Sequence, residues 1–116
     1  MAFNVLATNY DDHTKNFAFM LKEGGQWELA PAYDLCFSYN PQNNWVSQQT
    51  LSVNGKRLGV TKADFMQLAE MNNIKKAESI LIEIQNVVSN WYDFAKEARV
   101  KEELFKEINK NLNVER

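Results

Sequence analysis

One cysteine, one histidine and two prolines are all that a chain of 116 residues contains of these types, and the scarcity of each excludes something. Cys36 has no partner for an internal disulfide, which fits a reducing compartment and makes the cytoplasm the expected location. His13 has no second histidine to share a metal with, so a zinc site built on it is not expected. No apolar run is long enough to span a bilayer. Asp11 and Asp12 interrupt the first apolar stretch, and positions 1–6 carry no basic residue of the kind that opens a signal peptide. An excess of one charge sign is also lacking. Thirteen basic against fifteen acidic residues give a formal charge of -2 and a pI near 5.4, so no broad basic field marks the chain for nucleic acid. Internal repeats and low-complexity tracts are absent as well.

What is present is an ordinary globular composition, with 45% hydrophobic and 24% charged residues in 13.5 kDa, enough for one folded domain over residues 1–116. Residues 2–7, Ala-Phe-Asn-Val-Leu-Ala, are apolar from the outset with no cap before them, and read as the end of a helix that begins upstream. Positions 9–14 offer Asn, Asp and Thr side chains that bond to nearby backbone, the composition of a tight loop. Beyond it Phe17, Phe19 and Leu21 alternate, Trp27 and Leu29 repeat the alternation, and Gly24-Gly25 between them supplies positive φ. This spacing predicts a hairpin over 16–30, ended by Pro31. Residues 37–58, punctuated by Asn40-Pro41, Asn43-Asn44 and Asn54-Gly55, read as irregular, with a short strand at 50–53.

From Thr61 onward the apolar period becomes helical. Thr61 and Asp64 have capping-box spacing and open a short helix with Phe65, Leu68 and Ala69 inward. A single long core helix is expected over about 75–98, its stripe formed by Ala77, Leu81, Ile84, Val88, Trp91 and Ala95, with Ile80, Val87 and Phe94 beside it. Leu104, Phe105, Ile108 and Leu112 predict a last helix over 101–112, before an Asn-rich, charged end expected to fray. Trp27, Trp91 and Phe94 are expected in the core. The fold class is therefore α+β and mainly α, a hairpin followed by about three helices.

Chemistry is concentrated in Asn9-Tyr10-Asp11-Asp12-His13-Thr14-Lys15-Asn16. Asp11 and Asn16 stand in the spacing Asp-x-x-x-x-Asn, with which protein kinases supply a carboxylate to receive a hydroxyl proton and an amide oxygen to hold magnesium. Asp34, in Ala32-Tyr33-Asp34-Leu35 just past the hairpin, is the candidate for a further oxygen ligand. Taken singly, a loop aspartate such as Asp11 forms a turn or a cap, and Lys15 is a solvated turn lysine. Taken together, Asn9-x-Asp11-x-His13-x-Lys15-Asn16-Phe17, a Gly-Gly turn, and Leu29-Ala30-Pro31-x-Tyr33-Asp34-Leu35 resemble the C-terminal part of HipA-like serine/threonine kinases, toxins of bacterial toxin–antitoxin pairs. The resemblance is specific over positions 9–35 and looser through the helical remainder.

That resemblance implies the C-lobe portion of a kinase-like fold, with a β-hairpin beside the catalytic loop. Asp11 is then the general base. Lys15 offsets charge on the transferred phosphoryl group, His13 steadies the loop or meets a nucleotide phosphate, and Asn16 and Asp34 hold Mg2+ beside ATP. Asp12 is assigned no role beyond solvation, and Tyr33 and Cys36 are expected to pack near the metal aspartate. A glycine-rich lid and a strand lysine would precede such a loop, yet all four glycines follow it and eight residues precede Asn9. The expectation is thus a piece lacking the nucleotide-binding N-lobe, binding ATP and Mg2+ only when that half is supplied. The family implies a protein substrate and a DNA-binding antitoxin as partners. The competing expectation is a noncatalytic interaction module of a toxin–antitoxin system.

Overall fold

The structure, a computed structural model, describes residues 1–114. Its elements run in the order α1 (Ala2–Leu6), β1 (Phe19–Leu21), β2 (Trp27–Leu29), α2 (Lys62–Met71), α3 (Ala77–Ser89), α4 (Trp91–Glu97) and α5 (Glu102–Asn111), with one 3-10 turn at Thr14–Asn16. The class is α+β and mainly helical, and four helices follow the hairpin rather than about three.

The extra helix comes from a break at Asn90, which caps α3 and starts α4 with φ -80 and ψ 15. Ser and Asn are poor in helix interiors because their side chains compete for backbone partners, and Ser89-Asn90 is where the long apolar period is cut. The buried face of α3 and α4 is also narrower than the sequence suggests. Leu81, Val88 and Ala95 are buried, whereas Ile80, Val87 and Phe94 are each close to half exposed.

Val5, Leu6 and Ala7 from α1 meet Leu81 and Val88 of α3, Phe65 of α2, and Val53 and Val60 from the irregular segment in one apolar core. α1 and α2 pack on α3, which continues to α4 and α5. Trp91 stacks on Phe105 with centroids 6.4 Å apart, and Tyr92 meets the same ring edge-on. Asn113 and Val114, part of the stretch expected to fray, are tied down. The Asn113 amide donates to Leu6 O at 2.9 Å, and Val114 packs against the core; Glu115 and Arg116 lie outside the described residues.

The hairpin pairs Phe19 with Leu29, Met20 with Glu28 and Leu21 with Trp27. Gly24 and Gly25 both take positive φ in its turn, 92° and 82°, where a Cβ is strained. All six strand residues are exposed, so Trp27, at 67%, is a surface residue and not a core one. The register places Phe19, Leu21, Trp27 and Leu29 on one face, and all four are exposed.

Residues 50–53 form no strand. Only Val53 and Lys56 bridge, across the Asn54-Gly55 turn, with both backbone bonds at 2.9 Å. The capping box of α2 is present with aspartate in the glutamate position: Asp64 Oδ2 accepts from the Thr61 amide and from Thr61 Oγ1, each at 2.8 Å. Asp64 also takes the Lys56 ammonium at 2.8 Å and the Asn54 amide at 3.0 Å, so the turn is moored to the start of α2. The Lys56 hydrogen bond, then those of Asn54 and Thr61, hold the Asp64 carboxyl far below the usual carboxylate range.

Candidate functional site

The loop 9–16 leaves α1 through Thr8, whose φ is 55°, and is anchored at its root by Asn9, which is 1% exposed. Asn9 Nδ2 donates to Asn4 Oδ1 at 3.2 Å and to the Asp34 carbonyl at 3.1 Å. One buried amide thus joins the start of the loop to the residue that closes the hairpin. Asp34 itself sits at φ 55°, a left-handed conformation that aspartate tolerates better than most residues and that the Asn9 bond helps to hold.

Asn16 lies at the end of the 3-10 turn and reaches both ways. Its Nδ2 donates to Asp34 Oδ2 at 2.8 Å and to the Asp11 carbonyl at 3.2 Å. Asn16, Asp34 and the backbone of Asp11 are therefore adjacent, although 18 residues and a hairpin separate Asn16 from Asp34 in the chain. The Asp11 side chain is 48% exposed, with the His13 Nε2 at 3.7 Å from its Oδ1, beyond hydrogen-bond length. His13 Nδ1 is buried without a hydrogen-bond partner among the described residues, so the ring borders Asp11 without fixing the loop by a bond of its own. Lys15 enters through its backbone: the Tyr33 hydroxyl donates to Lys15 O at 2.7 Å.

Three neighbours differ from expectation. Tyr33 and Cys36 are exposed rather than packed, Tyr33 acting as a strut to the loop and the Cys36 thiol resting 3.8 Å from Asn9 Oδ1. Desolvation, then the Asp34 and Asp11 charges, push the Cys36 thiol up, so it stays protonated and is a poor nucleophile. Asp12, expected to be solvated, is 2% exposed. Its Oδ1 accepts from the Thr50 amide at 2.8 Å and the Leu51 amide at 3.1 Å, and its Oδ2 from Gln49 Nε2 at 3.3 Å. No local pattern marks this, since the donors lie 37 to 39 residues away.

Asn16 carries an amide oxygen and Asp34 a carboxylate, ligand types that a hard cation takes, and the two side chains meet through Asn16 Nδ2. No group of three or more His, Cys, Asp and Glu that could hold a metal occurs among the described residues. Nor is any helix among them long and apolar enough to cross a membrane.

A polar loop, an antiparallel hairpin and an aspartate that returns to the loop, set beside a helical body, make an α+β domain. A family model for the HipA-like C-terminal domain matches residues 1–91, and the chain belongs to that toxin-related family. Neither a curated protein nor a solved structure matches it.

Proposed function

We propose that the chain is the C-terminal catalytic portion of a HipA-like protein kinase, which transfers the γ-phosphoryl group of ATP to a serine or threonine hydroxyl of a protein. The observation that carries this reading is the meeting of Asn16 with both Asp34 Oδ2 and the Asp11 carbonyl. It brings the backbone of Asp11 together with the side chains of Asn16 and Asp34, which supports a reading in which the three share one phosphoryl-transfer site. Asp11 receives the hydroxyl proton as the oxygen attacks. Asn16 and Asp34 would hold Mg2+, which supplies charge neutralisation along the phosphates when bound. Lys15, exposed and with its carbonyl accepting from the Tyr33 hydroxyl, offsets the charge of the transferred group.

On this reading the glycine-rich lid and the strand lysine over the nucleotide are supplied by a nucleotide-binding half. The protein partners on this reading are the phosphorylated substrate, that half, and a DNA-binding antitoxin; the setting is cytoplasmic, with no membrane or direct nucleic-acid contact. The test is phosphoryl transfer from labelled ATP by the chain combined with such a half, with Asp11→Ala as control. A second reading, a noncatalytic interaction module, is favoured by the exposed apolar hairpin face of Phe19, Leu21, Trp27 and Leu29. Absence of phosphoryl transfer by the parent chain combined with that half would select it.

A further inference from the structure

We infer that Asp12 is the positioning residue for Asp11, acting through Thr50; this rests on the phosphotransfer reading of Asp11. Asp11 projects an exposed side chain from a loop, and a proton acceptor must be held to within a fraction of an ångström to be effective. The restraint comes from its two neighbours in sequence, both gripped by one distant residue. On one side, Tyr10 O accepts from the Thr50 amide at 3.2 Å and from Thr50 Oγ1 at 3.1 Å. On the other, Asp12 Oδ1 accepts from the same Thr50 amide at 2.8 Å and from the Leu51 amide at 3.1 Å. The peptides flanking Asp11 are fixed while its carboxylate stays free to meet a substrate.

The anchor is itself anchored. Gln49, 1% exposed, bonds Asp12 Oδ2 by its side chain, and its backbone pairs with Arg57 in both directions: the Gln49 amide donates to Arg57 O at 3.1 Å, and Arg57 Nε donates to Gln49 O. Next to Arg57, Lys56 binds Asp64 in the first turn of α2. Hydrogen bonds, joined by the Lys56–Arg57 and Asp11–Asp12 peptide links, thus run from α2 through the turn at 53–57 and through Gln49 and Asp12 to Asp11. A carboxylate 2% exposed, whose hydrogen-bond donors are all neutral, is a costly way to fill space. What it provides that an apolar side chain cannot is the capture of two consecutive backbone amides at a set distance from Asp11.

The test separates geometry from charge. Asp12→Asn keeps the oxygen that takes the Thr50 and Leu51 amides, and Gln49 can turn its own amide to match; Asp12→Glu keeps the charge and displaces the oxygens. In the kinase assembled with its nucleotide-binding half, Asp12→Ala and Asp12→Glu should lower kcat by about a hundredfold with KM for Mg-ATP unchanged, and Asp12→Asn should recover most of the loss. Wild-type kcat in Asp12→Glu, or equal loss in Asn and Glu, overturns the inference. If Asp11→Ala leaves turnover intact, the kinase reading fails, and amide NMR of the chain alone still decides the positioning role. There Asp12→Glu should shift the backbone signals of Asp11 and the side-chain amide of Asn16 while the helical circular dichroism is kept, and Asp12→Asn should leave them near the parent positions. Unmoved Asp11 and Asn16 signals in Asp12→Glu would show that Asp12 serves local stability alone.

Discussion

At the scale of single residues, Asp12 is buried where the sequence suggests solvation, and Asp11 beside it and Asp64 in α2 should respond to substitution in different ways. The Asp11 side chain is half-exposed and, apart from His13 at 3.7 Å, makes no polar contact among the described residues, so its removal should hardly touch the fold. In the assembled enzyme Asp11→Ala is expected to lower kcat by about a hundredfold or more, the usual worth of a positioned base, with thermal stability unchanged. Steady-state kinetics beside a melting curve checks both halves of that statement. Asp64 is the opposite case, buried and saturated with donors. Its folded carboxyl lies below its unfolded value, chiefly through the Lys56 hydrogen bond, so its stabilisation is complete above the unfolded pKa and is lost as pH falls through the folded one. Asp64→Asn should therefore melt below the parent at pH 7, and the gap should narrow as the pH drops under about 4, where the unfolded carboxyl begins to protonate. A Tm difference that does not change with pH would mean that the Lys56 pairing contributes nothing.

At the scale of elements, the helical body and the hairpin are held by different forces. Leu81 lies in the seam where α1 and α2 meet α3, and Leu81→Ala should cost about 2–5 kcal/mol in denaturant unfolding through lost burial and the cavity left behind. Trp27 is larger, yet it is 67% exposed and faces only Leu21 across the strand pair. Trp27→Ser should cost less than about 1 kcal/mol, the range of a cross-strand pair. A loss as large as that of Leu81→Ala would mean that the hairpin face is covered. The break at Asn90 follows the same logic: α3 and α4 bury one narrow line of residues each, so a local preference for capping can divide them.

For the whole molecule, the decisive question is what the chain does without a nucleotide-binding half. On the proposed reading, adenine and two of the three phosphates have no protein wall, and Asp11 and Asp34 repel the phosphates unless magnesium lies between. Oriented reactants supply about 7–11 kcal/mol of barrier lowering in favourable cases, and an ATP molecule that is not held forfeits most of it. Isothermal titration of residues 1–116 with Mg-ATP should register no micromolar binding, and labelled ATP should mark nothing. Micromolar binding by this chain alone would refute the need for a second half.

The elements of the fold were legible because they depend on near neighbours. The Gly24-Gly25 turn, the two-residue alternation around it, the capping box at Thr61 and Asp64, and the helical period after it are all decided within a few positions. The same holds for Asn16 as a polar residue at a loop end and for Asp34 as the acid after a hairpin. Three features rest on residues far apart in the chain, and the tertiary structure alone decided them. Asp12 is buried because Gln49, Thr50 and Leu51 arrive over it, Trp27 is exposed because its face of the hairpin is left uncovered among the described residues, and Asn113 is fixed because Leu6 O lies beside it. A carboxylate in a polar loop looks solvated until distant amides are shown to replace its water, and hydrophobicity alone does not say which apolar faces find partners.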